Sequence, residues 1–333
     1  MNYYQYGVVS PEQYKTKVYK DNLRKDTNRV GLAIIISEIS TILLSLIISL
    51  FVNFSSISDK ETSSLIELTE SGFISLIALF IPALIIILCY NYNLNRLFPF
   101  SKISKSDLFI YIFGGLGVAL ASNYISTLFG VIFGSVGIDT SIDVTFEATT
   151  PLNIIFEFLT IAIIPAIVEE FLFRGVVLGV LKQYSEGLGI FISATLFALM
   201  HGNLTQIPFA FPIGLVLGYI CVKTNSLLPG IIIHCLNNAF SVFLDLLYNN
   251  NYFSEFTTSL IEYSIILIIA ILSFIALFLY IKKKKSEIKF TDSNNFIPFK
   301  EKMRISFSSP TIIIFCVYII LQSILVALVG NNI

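Results

Sequence analysis

Along the chain, apolar runs alternate with short polar stretches, and the runs fall at 31–51, 73–90, 108–133, 152–181, 190–201, 211–222, 227–247, 259–281 and 311–329. An α-helix rises about 1.5 Å per residue, so about twenty apolar residues cross a hydrocarbon core of ~30 Å. Most runs approach or exceed that length; 190–201 and 211–222 are short. The pattern predicts an all-α, polytopic membrane protein with about eight to nine transmembrane helices. Nine is the direct count, and eight spans plus a re-entrant element fit as well. No internal repeat is visible, which disfavours a transporter built from inverted halves.

Composition settles what length leaves open. The 333 residues could make two soluble domains, but 55% are hydrophobic, 13% are charged and the mean hydropathy is +0.82. A net charge of −1 gives no basic surface for nucleic acid. The charges are segregated between loops. Lys15, Lys17, Lys20, Arg24, Lys25 and Arg29 precede the first run, and Arg96, Lys102 and Lys105 follow the second. Lys282 to Lys285, Lys289, Lys300, Lys302 and Arg304 precede the last. The intervening loops are acidic, with Asp59, Glu61, Glu67 and Glu70 in one and Asp139, Asp143 and Glu147 in another. By the positive-inside rule the N-terminus is cytoplasmic, and nine spans would place the C-terminus outside. The expected localisation is a bacterial plasma membrane, multi-pass.

The first 29 residues are polar, with no apolar region of a cleavable signal. Cys89, Cys221, Cys235 and Cys316 sit in apolar runs without metal-type spacing and read as small buried hydrophobes. The expected organisation is a cytoplasmic segment at 1–29, N-terminal helices at 30–149, a core at 150–248 and C-terminal helices with a basic loop at 249–333.

One stretch breaks the apolar pattern where charge is expensive. Val168-Glu169-Glu170-Phe171-Leu172-Phe173-Arg174 places two carboxylates and a guanidinium inside a predicted span. Intramembrane ionisable groups point to function. Pro165, one turn earlier, predicts a kink. The two histidines of the chain follow downstream, each with a partner four residues away: Phe197 with His201, and His234 with Asn238. Residues four apart share a helix face, so each pair points into one volume. Glu170 and Arg174 have the same spacing, whereas Glu169 faces about 100° away and is left free.

Glu169, His201, His234 and Asn238 are a set able to hydrolyse a peptide bond. A carboxylate in an apolar cavity can activate water, and His with Asn can donate to an oxyanion. Two His and a Glu are also a zinc ligand set, so His201, His234 and Glu169 would be the ligands if a metal were bound. No His-Glu-x-x-His motif favours that choice. The bland alternative makes the histidines interhelical hydrogen-bonding residues and Glu170–Arg174 a structural pair. Glu38, Glu157 and Asp245 read as interfacial, helix-end or interhelical groups.

At these residues the sequence resembles the CPBP family of type II CAAX prenyl endopeptidases and bacteriocin-processing or immunity membrane proteins. The resemblance rests on Glu169-Glu170-x-x-x-Arg174, Phe197-x-x-x-His201 and His234-x-x-x-Asn238, with Gly175 and Gly202 alongside, over about residues 150–245. It implies an intramembrane endopeptidase whose helices enclose a catalytic cavity open to the cytoplasmic leaflet. Glu169 with His201 would activate water, His234 and Asn238 would hold the oxyanion, and Glu170, Arg174 and Phe197 would support them. The family is often called metalloprotease; a metal-free, glutamate-activated water fits these residues too, and no cofactor is then required. The Ile-, Asn- and Ser-rich composition suits a low-GC bacterium without prenylated CAAX proteins. Membrane-associated peptides or proteins are the expected substrates. A non-catalytic bacteriocin-immunity protein and a proton-coupled transporter are the alternative readings.

Overall fold

In the computed structural model the described residues are 10–52, 59–138, 150–249, 253–284, 290–292 and 296–330. Asp139, Asp143, Glu147, Lys285 and Lys289 lie outside them. Helices α1 (Pro11–Phe51), α2 (Lys60–Cys89), the short α3 (Leu94–Leu97) and α4 (Lys105–Ser135) come first. A long broken helix, Pro151–Leu181, follows. After it come α8 (Glu186–Leu199), α9 (Gln206–Thr224), α10 (Leu228–Asn249), α11 (Glu255–Lys284), α12 (Phe299–Phe307) and α13 (Pro310–Gly330). No strand occurs among the described residues; two isolated bridges, Phe100 with Ser226 and Ser185 with Asp292, tie loops together.

Among the described residues, seven helices are long and apolar enough to cross a membrane, or eight if α12 and α13, bent by 67°, form one span. The direct count of nine falls because α8 has 14 residues, about 21 Å of helix against a ~30 Å core. It packs along α9. Polar caps set where the helices begin. Ser10 and Gln13 form a capping box that starts α1 well before the apolar run, and Asp59, Ser104 and Thr150 cap α2, α4 and the broken helix. The basic residues of 11–29 therefore continue into the same helix as the first span.

Small residues let α4 approach its neighbours closely. A Cβ at Gly114 would meet Leu277 at 2.6 Å, at Gly115 Ile233 at 2.5 Å, and at Gly117 Ser273 at 2.3 Å. Ile233 precedes His234, so this contact seats α10. Cys221 is buried, as expected, but Cys89 is exposed and Cys235 and Cys316 are half-buried. Their helices turn those faces outward, where an apolar side chain meets lipid as readily as a core.

At one end of the bundle, Asp26 of α1 gathers distant segments. It is 6% exposed and accepts from Tyr92 and Tyr184 hydroxyls and Arg29, each at 2.7 Å, and from Gln183 at 2.9 Å. Lys302 of α12 is fully buried, reaches the Tyr184 carbonyl at 3.2 Å and pairs with Asp292. This knot fastens both terminal regions to the end of the broken helix. Burial, and then the hydrogen bond and charge of Asp26, push the Tyr184 phenol above its ordinary value. A group raised in the folded state contributes stability that is complete below its unfolded value, about 10, and is lost as pH rises through the folded value. Tyr184→Phe removes one hydrogen bond to a charged acceptor and should cost about 1.5–3 kcal/mol. Thermal unfolding in detergent checks this, and the difference from wild type should shrink only above about pH 10.

Candidate active site

The broken helix carries the Glu-Glu motif. It runs as α5 (Pro151–Glu157), a π-helical stretch Phe158–Ile163, α6 (Ile164–Glu170), a second π-helical stretch Phe171–Leu178, and α7 (Gly179–Leu181). Pro165 has no N–H for the carbonyl four residues back, that of Ile161. The Asn238 side-chain amide takes that place, donating to the Ile161 carbonyl at 3.2 Å. The helix defect thus recruits a residue of α10 to the site, and π-bulges are frequent at such places.

The two carboxylates part as their spacing predicts. Glu170 is fully buried; its Oε1 accepts from Arg174 Nη1 at 2.6 Å. Arg174 is equally buried, donates to the Gly214 carbonyl at 3.2 Å and lies 4.4 Å over the Phe197 ring. Glu170 Oε1 also meets His234 Nδ1 at 3.2 Å. That contact turns His234 Nε2 toward Glu169, whose Oε2 is 3.8 Å away. Glu169 remains 21% exposed, toward the cavity rather than toward Arg174. Gly175 is needed here because a Cβ would lie 2.1 Å from the Phe98 ring, which stacks on Phe171 at 4.4 Å.

His201 sits in the turn after α8, two residues past the helix end, rather than on the helix itself. Its Nδ1 is nevertheless 2.9 Å from the Phe197 carbonyl, so the ring donates there and presents Nε2 as an acceptor. Gly202, with φ of +65°, makes the turn, and Ser323 of α13 donates to its carbonyl at 2.9 Å. Phe197 is packed edge-on to both histidines, with centroids 5.0 Å from His201 and 5.7 Å from His234. Phe197 therefore spaces the two imidazoles.

Glu169, His201, His234 and Asn238 line one cavity of about 330 Å³. Glu157 and Asp245 do not line it; Glu157 is buried near the start of the broken helix. Residues that the sequence pattern left unmarked also line it: Asn123 of α4, Gln206 of α9, and Asn237 and Ser241 of α10. Asn237 is 7% exposed and its Oδ1 has no partner among the described residues. Its signal was present as a second polar residue beside Asn238 in an apolar helix. Glu38 differs from expectation: rather than reaching an interface or pairing with a neighbouring helix, it lines a second cavity beside Glu169.

Among the described residues no group of three or more His, Cys, Asp or Glu side chains is arranged to hold a metal ion. Glu169, His201 and His234, the alternative zinc ligands, share a cavity but do not form such a group.

Fold and site together define a polytopic, all-α membrane protein with a Glu–His–Asn cavity in its interior. Residues 151–240 match the family described as type II CAAX prenyl endopeptidase Rce1-like. The family is one of membrane CAAX peptidases. The chain is also 27% identical over 195 residues, 55% of its own length and 77% of the relative's, to the membrane-embedded CAAX protease MroQ of Staphylococcus aureus (strain USA300). No solved structure matches it.

Proposed function

We propose that this protein is an intramembrane endopeptidase acting on membrane-associated peptides or proteins through a glutamate-activated water. The observation that carries the reading is the meeting of Glu169, His201, His234 and Asn238 around one cavity. Glu169 takes a proton from water as the oxygen attacks the scissile carbonyl carbon, then returns it to the amine that leaves as the C–N bond breaks. His201 Nε2, an acceptor because Nδ1 donates to Phe197, orients that water. His234, held at Nδ1 by Glu170, turns Nε2 toward the place where the oxyanion develops. Asn238 has a second amide hydrogen for the same oxygen after giving one to Ile161. The membrane relative supports a membrane substrate, and the basic loops support a cytoplasmic N-terminus.

The test is cleavage of synthetic transmembrane peptides by protein purified in detergent, read by mass spectrometry. Wild type should cut, and His201→Ala should lower the rate by about 100-fold or more while the protein unfolds at the wild-type temperature. Undiminished cleavage by His201→Ala would remove the histidine from the reaction. Elemental analysis of the same active samples bears on the mechanism: stoichiometric zinc that is lost in His234→Ala would replace the metal-free reading.

A further inference from the structure

Beside the cavity just described lies a second one of about 350 Å³, and Ser75, Glu169, Phe197 and His201 line both. Its far wall comes from outside the matched segment: Glu38 and Thr41 of α1, and Gln322 of α13. Each polar group there offers an acceptor oxygen. Glu38 is half-buried and has no hydrogen-bond or ion-pair partner among the described residues. Gln322 Oε1 is buried and unpartnered. Thr41 spends its hydroxyl proton on the Ser37 carbonyl at 3.1 Å, which leaves its oxygen free to accept. Two carboxylates, Glu38 and Glu169, line the chamber and no lysine or arginine does. The remaining wall is apolar, with Leu79, Phe173 and Met200.

Buried acceptors left without donors cost free energy, and a carboxylate in low dielectric costs most. An occupant with a long apolar stem and a cationic, donor-rich head would satisfy every group named. We propose that this chamber is a specificity subsite for a lysine or arginine side chain of the substrate, next to the scissile bond. The stem lies against Leu79 and Met200, and the head reaches Glu38, Thr41 and Gln322. An acidic side chain would face two carboxylates and is rejected. Glu38 is then a specificity residue, supplied by a helix that the family segment does not include.

This inference rests on the proteolytic reading, and two measurements separate their failures. Synthetic transmembrane peptides in which one position at a time is Lys, Met or Glu are offered to wild type and Glu38→Gln in detergent. In wild type, kcat/KM should favour Lys over Met at least tenfold at one position near the cut, and Glu38→Gln should bring that ratio close to one. Glu38→Lys should shift preference toward the Glu peptide. Binding of the same fluorescent peptides to Glu169→Ala, followed by anisotropy, should show the same Lys preference and the same loss in Glu38→Gln/Glu169→Ala. Equal handling of Lys and Met peptides by wild type in both measurements overturns the subsite. No cleavage by wild type together with a Glu38-dependent Lys preference in binding overturns the protease and keeps the subsite.

Discussion

Glu169→Gln should lower peptide cleavage by about 100-fold to 10,000-fold, the range expected when a general base is removed, while leaving the fold intact. The substitution is isosteric and its site is tolerant. Glu169 is 21% exposed to the cavity, and the strong pairings belong to Glu170. His234 Nε2 lies 3.8 Å from its Oε2, a loose contact. The effect should fall on kcat, because the amide still offers hydrogen bonds to a bound peptide but accepts no proton from water. Rates measured with a transmembrane peptide in detergent, beside an unfolding curve for each variant, check both halves. Glu169→Gln cleaving at more than about a tenth of the wild-type rate would exclude the carboxylate as base.

Arg174→Met should be the most destabilising substitution in the site, by about 3–5 kcal/mol. It leaves the Glu170 carboxylate, 0% exposed, without its cation. It also strips a donor from the Gly214 carbonyl and the cation from the Phe197 face. The double variant Arg174→Met/Glu170→Gln should recover much of that loss. A neutral amide needs no counter-charge, and its oxygen can still accept from His234 Nδ1. Unfolding midpoints of the two single variants and the double variant form the cycle. Activity should remain low in the double variant, since Glu170 also sets the angle at which His234 faces Glu169. If Arg174→Met unfolds like wild type, the pair is not the buried structural link described above.

The three motifs could be read in sequence because intramembrane charge is costly and helical spacing is regular. Glu170 with Arg174, and His234 with Asn238, therefore had defined geometry before any fold was known. His201 was legible as a residue but not in its place: it lies in a turn, where Gly202 permits the reversal and the Phe197 carbonyl holds the ring. The count of nine spans failed at α8 because hydropathy does not separate a short buried helix from a crossing one. Glu38 and Gln322 were illegible as residues lining a cavity beside Glu169, because nothing local to α1 or α13 points toward it. The same holds for Asp26, whose partners Tyr92 and Tyr184 lie 66 and 158 residues away.

By itself, then, the sequence determined an all-helical membrane protein and the charged and polar residues placed within its core helices, since hydrophobic period, caps and i,i+4 spacing act within one helix. Tertiary structure decided which free groups meet across helices. It turned Glu170 into the partner of His234 as well as Arg174, gave Asn238 the carbonyl that Pro165 releases, and set Glu38 beside Glu169. Those are contacts between segments far apart in the chain, and packing, which no local pattern encodes, chooses them.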